Sequence, residues 1–88
     1  MFVLIYDLVD GYIAKREPFR SAHLDLAREM YEAGALRLAG ALTDPVDQAY
    51  LVFNDRRSAE QFVRRDPYIA NGLVSSHRIR EWNVVVGG

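Results

Sequence analysis

Apolar and polar positions along this chain repeat with two different periods, and the switches between them mark its elements. Phe2 to Asp7 is a short β-branched and aromatic run bounded by Asp10-Gly11, and it reads as a buried strand. From Pro18 to Ala33 the period becomes helical. At about 100° per residue, Phe19, Ala22, Leu26, Met30 and Ala33 share one face, and Ser21, Asp25, Arg28, Glu29 and Glu32 share the other. Proline is tolerated in the first turn of a helix, and Gly34 supplies the stop. Leu36 to Leu42 predicts a second strand, in which Gly40 marks a bulge or a close backbone approach. Thr43-Asp44-Pro45-Val46-Asp47 is a turn, and Ala49 to Phe53 is a third strand.

Ser58-Ala59-Glu60-Gln61 has the capping-box pattern, so a helix is expected to start at Ser58 with Ala59, Phe62 and Val63 facing inward. It must end near Asp66, because Pro67 disfavours helical geometry in the residue before it. Tyr68 to Leu73 is a turn or short helix closed by Asn71-Gly72, and Ser75 to Val86 predicts a long final strand. The order is therefore βαββαβ. The right-handed crossover rule makes this an α+β ferredoxin-like sandwich, a single domain over residues 1–88.

Two helices cover only one face of a four-stranded sheet. Half of the 88 residues are hydrophobic. A chain this short buries only about 60–65% of its unfolded surface, which leaves apolar area to spare. Pairing of two copies through the open sheet face is the simple solution, so a homodimer or higher assembly is expected. The net charge of −1, from 11 basic and 12 acidic residues, offers no field for nucleic acid or an anionic membrane. The arginines at 56, 57, 64, 65, 78 and 80 are interleaved with Asp55, Glu60 and Glu81 and read as a solvated, ion-paired surface. The aromatic RNP pattern of RNA-recognition domains is absent. The first seven residues are too few to span a bilayer and carry no basic leader, so a cytoplasmic location is expected. With no cysteine, two histidines and no glycine-rich phosphate loop, no metal and no cofactor is expected.

Two polar residues stand where apolar ones belong. His23 falls between Phe19 and Met30, inside the apolar arc of the first helix. Desolvation lowers the pKa of such a group and a neighbouring carboxylate raises it, so the competition can leave the ring poised for proton transfer at neutral pH. A core histidine satisfied by backbone groups is the plain alternative. Continuing the second helix turns Asp66 inward as well, although Asp followed by Pro is also a good N-cap and N1 pair. Tyr6, Tyr50, Tyr68 and Trp82 either line a pocket for a small ring or serve as strand core with polar tips.

Arg20-Ser21-Ala22-His23-Leu24, Gly34-Ala35-Leu36-Arg37-Leu38-Ala39-Gly40, Asp66-Pro67-Tyr68 with Gly72-Leu73, and Ile79-Arg80-Glu81-Trp82 follow one another in an order and spacing that resembles the YCII-related (YciI-like) family over nearly the whole chain. The resemblance implies a dimeric α/β barrel of ferredoxin-like subunits, related in fold to muconolactone isomerases. It implies an active site of one histidine and one aspartate, which carry over to His23 and Asp66. Some members act as dehydrochlorinases on hydroxylated aromatics. Two departures stand out: Ala41 follows Gly40 where the family often has proline, and the short connection to the third strand implies a more open pocket. The expected function is a cofactor-free isomerase or lyase acting on a small cyclic or aromatic metabolite. In it His23 is general base or acid, Asp66 orients it, and Arg20, Tyr68 and Ser75 contact the substrate. The alternative is a non-catalytic dimeric module that binds a small molecule.

Overall fold

The computed structural model describes residues 1–88. Strand β1 (Phe2–Leu8) leads into a one-turn helix α1 (Tyr12–Lys15) and the long helix α2 (Glu17–Glu32). Strands β2 (Leu36–Ala41) and β3 (Gln48–Phe53) form an antiparallel hairpin. Helix α3 (Arg56–Arg65), the one-turn helix α4 (Pro67–Ala70) and strand β4 (Val74–Glu81) complete the chain. The sheet order is β2-β3-β1-β4, and every neighbouring pair is antiparallel. This is the α+β ferredoxin-like arrangement, with each crossover carrying one additional helical turn.

Strand registers decide which side chains meet the helices. Leu4 stands opposite Leu51 and Ile79, and Tyr6 opposite Ala49 and His77. Leu4, Leu51 and Phe53 form the core with Leu26 and Met30 from α2 and Phe62 from α3. A second cluster of Tyr12, Tyr68 and Leu73 closes the end of the sandwich where α1 and α4 lie. The intervening positions point to the opposite face, which no helix covers: Val3, Ile5 and Val52, with the exposed Leu38 and Tyr50. The Asp7 carboxylate on that face accepts from Gln48 Nε2 (2.7 Å), Ser76 Oγ (2.6 Å) and Arg78 Nη1 (3.0 Å), tying β3 and β4 to β1. These hydrogen bonds, led by that from Ser76, hold its carboxyl down at about 2. No helix is long and apolar enough to cross a membrane.

Several boundaries differ from the sequence expectation, each for a local reason. The N-cap of α3 is Asp55, in extended conformation, and its carboxylate accepts from Ser58 N–H at 2.7 Å. Ser58 is thus inside the first turn, and Asp55 rather than the capping-box serine satisfies the orphan donor. The final strand stops at Glu81, not Val86, because its partner β1 begins at Phe2, opposite Glu81. Trp82 is left half exposed, its N–H bonded to Met1 O at 2.7 Å. The buried stripe of α2 centres on His23, Leu26 and Met30, leaving Ala22 and Ala33 exposed at its margins. The irregularity in β2 falls between Leu36 and Leu38, while a side chain at Gly40 would meet open space.

Candidate active site

Asp66 sits at the joint between two helices. Its N–H closes α3 on Phe62 O (2.8 Å), and its extended backbone then starts α4 with Pro67 at the first position. The Asp66 side chain is completely buried. Three donors converge on it: Tyr68 N–H (3.0 Å) and His23 Nδ1 (2.7 Å) on Oδ1, and the Tyr6 hydroxyl (2.7 Å) on Oδ2. Capping and histidine contact are thus two uses of one carboxylate. A carboxylate only accepts hydrogen bonds, so the short contact assigns the proton of neutral His23 to Nδ1. Nε2 is then the unprotonated nitrogen, and no side-chain or backbone group of the chain bonds it.

The ring of His23 is held from several sides. It stacks on Tyr68 with ring centres 3.7 Å apart and planes 6° apart, and it meets Phe62 edge-on at 5.8 Å. Packing and the Asp66 bond together fix its plane, as a group poised for proton transfer requires. Burial, and then the adjacent Asp66 carboxylate, push the Tyr6 phenol well above its ordinary pKa, so it remains a donor across the working pH range. Burial also raises the Tyr68 phenol, to about 12.

His23 lines a cavity of about 230 Å³ between α2 and the β2–β3 side of the sheet. Small residues, Ala39, Gly40, Ala41 and Ala49, form much of the sheet wall, and Tyr12 and Tyr68 close one end. Arg16 and Arg20 lie on the helix side, and neither makes a salt bridge within the chain. A dry engineered cavity of roughly 150 Å³ accepts benzene. The volume here therefore suits a single six-membered ring with a few substituents. No three His, Asp or Glu side chains come together as a metal-ligand set.

Of the residues singled out from sequence, His23, Arg20 and Tyr68 line this cavity, and Asp66 stands behind His23. Ser75 does not join them. The β1–β4 register passes from Asp7–Ser76 to Leu8–Val74, which makes Ser75 the extra residue of a bulge, and its hydroxyl donates to Asp7 O at 3.2 Å. Of the four aromatic candidates, Tyr6 and Tyr68 reach the cavity. Tyr50 is on the opposite sheet face and Trp82 lies beyond the end of β4. Sequence reasoning did not pick out Tyr12 or Arg16, which fall in the stretch where no element was expected. It also did not identify Tyr6 as a donor to Asp66. Alternation alone puts Tyr6 on the Leu4 face, but its partner comes from a helix end 60 positions away.

The family model for the YCII-related domain matches residues 1–83. Among solved structures, the fold is similar to 5-chloro-2-hydroxyhydroquinone dehydrochlorinase (TftG) from Burkholderia phenoliruptrix AC1100, in complex with 2,5-dihydroxybenzoquinone. The similarity covers 94% of each chain, with a TM-score of 0.73 and 19% sequence identity, a likeness of fold. No curated protein sequence matches the chain.

Proposed function

The chain belongs to the YCII-related domain family, and from that premise we propose that it is a small-molecule enzyme working by proton transfer on a single-ring substrate. The observation that carries this is the 2.7 Å bond between His23 Nδ1 and a completely buried Asp66. It leaves Nε2 as the nitrogen available to a cavity of ring size. In the forward step Nε2 takes a proton from the substrate, and the Asp66 carboxylate stabilises the imidazolium that forms. The proton returns elsewhere on the ring in an isomerisation, or a leaving group departs with its electron pair in an elimination. A dehydrochlorinase of a chlorinated hydroxyhydroquinone built on a similar fold supports the cyclic substrate and the elimination. We also propose that two copies pair through the open sheet face.

The test is turnover of hydroxylated, halogenated aromatics and of small unsaturated lactones, followed by ultraviolet absorbance and by uptake of solvent deuterium. His23→Gln is expected to lower the rate on any accepted substrate by about 10²–10⁴-fold, the usual contribution of a positioned base, without loss of the folded state. Unchanged turnover in that variant would remove His23 from the chemistry. Binding of these compounds without turnover or exchange would instead support a non-catalytic binding module.

A further inference from the structure

We infer that the ring bound beside His23 carries an ionised oxygen substituent, a carboxylate or phenolate, seated between Arg16, Arg20 and the Tyr68 hydroxyl. This rests on the assignment of the cavity as a substrate site and adds the charge of what it takes.

The first support is unpaired charge. Arg16 and Arg20 both line the cavity, and neither takes part in any salt bridge of the chain. No Asp or Glu lines the cavity, and the Asp66 carboxylate behind His23 is completely buried and already accepts from His23, Tyr6 and Tyr68 N–H. It is not free to neutralise the arginines. Two guanidinium groups with no internal counter-ion favour an anionic guest.

The second support is unmet hydrogen-bonding capacity. Arg16 Nε is buried without a partner, and the Tyr68 hydroxyl, with the Tyr12 side chain beside it, makes no hydrogen bond of good geometry although Tyr68 is only 1% exposed. Buried polar groups are normally satisfied, and an orphan donor on a residue that lines a cavity has capacity left for a water or a ligand atom. Arg16 and Arg20 line the same cavity as Tyr68; burial and then the neighbouring Tyr12 raise the phenol's pKa, and the two guanidinium groups act against them. The donors therefore converge on one region. The Arg16 guanidinium is carried over the Tyr12 ring at 5.2 Å, and Tyr12 in turn packs edge-on against Tyr68 at 5.7 Å, which holds the group in place.

The position of this seat fits the chemistry. Tyr68 stacks on His23, so an oxygen held at its hydroxyl keeps the attached ring beside the imidazole. When Nε2 removes a ring proton, negative charge spreads onto a conjugated oxygen, and the two guanidinium groups are placed to stabilise it.

Benzoate and benzamide are nearly isosteric and differ in charge, and they make the probe pair. Binding is followed by NMR titration of the Tyr68 and His23 signals in the full chain. Benzoate is expected to bind at least about tenfold more tightly than benzamide, as charge-assisted bonds to arginine imply, with the advantage shrinking as salt is added. In Arg16→Gln/Arg20→Gln that preference falls to about one. In His23→Gln the preference persists. Arg20→Lys, which keeps the charge, retains part of it. Equal affinity for the two probes in the wild-type chain overturns the anion seat and leaves the aromatic site standing. A preference that survives the double arginine variant and vanishes in His23→Gln also overturns it, because the imidazolium would then hold the anion. Absence of binding by either probe overturns both the seat and the aromatic site.

Discussion

Tyr6 is the residue whose removal separates structure from chemistry at this site. Its hydroxyl donates to Asp66 Oδ2 at 2.7 Å, deep in the core, without touching His23 through a hydrogen bond. Tyr6→Phe removes one of three donors and leaves a buried carboxylate oxygen unmet. The expected cost is about 1–3 kcal/mol of folding stability, measured by urea denaturation, with the His23–Asp66 bond intact. No loss of stability would mean that the Asp66 oxygen finds another donor. At this scale the sequence was informative about direction and silent about contact. Helical spacing turned His23 and Asp66 inward. Their meeting depends on how α2 docks against the α3–α4 joint, which no local pattern encodes. Ser75 shows the converse: a polar residue near the right place in sequence was drawn away by a one-residue bulge.

At the scale of elements, the long periodic segments were readable and their ends were not. The helix expected over 18–33 is observed over Glu17–Glu32, and the central strands lie within a residue of expectation. Ends depend on competition between neighbours. Asp55 and Ser58 both suit an N-cap, and Asp55 occupies it because its backbone is already extended as the chain leaves β3. The final strand was overextended because Trp82, Val84 and Val86 have strand-like character but no partner strand beyond Phe2. The Asp7 cluster that binds β1, β3 and β4 predicts a pH effect. Its folded pKa, about 2, is below the ordinary value of 3.8. The stability it adds is therefore present above pH 3.8 and is lost as pH falls from there towards 2. Thermal melts across this window should show a shallower acid-side decline in Asp7→Asn than in the wild-type chain. Parallel curves would mean that Asp7 contributes nothing through its charge.

For the whole molecule, element order was enough to give the ferredoxin-like topology, because only one right-handed arrangement of βαββαβ lets both helices share a sheet face. It also left the opposite face uncovered, where Leu38 is 65% and Tyr50 40% exposed in the single chain. If two copies bury that face against each other, light scattering should give twice the monomer mass. Leu38→Lys, whose side chain has no core role, should return the monomer with its fold retained. A monomeric wild-type chain at high concentration would rule out the sheet-face dimer. The cavity and its histidine lie on the helix side, so the dyad can be examined independently of assembly. The most direct test is the tautomer of His23, read from imidazole ¹⁵N chemical shifts at a pH where the ring is neutral. The three donors on Asp66 require Nδ1 to carry the proton and Nε2 to be bare, and Asp66→Asn to disturb that preference. A proton found on Nε2 in the wild-type chain would leave no lone pair facing the cavity, and His23 would not be its base.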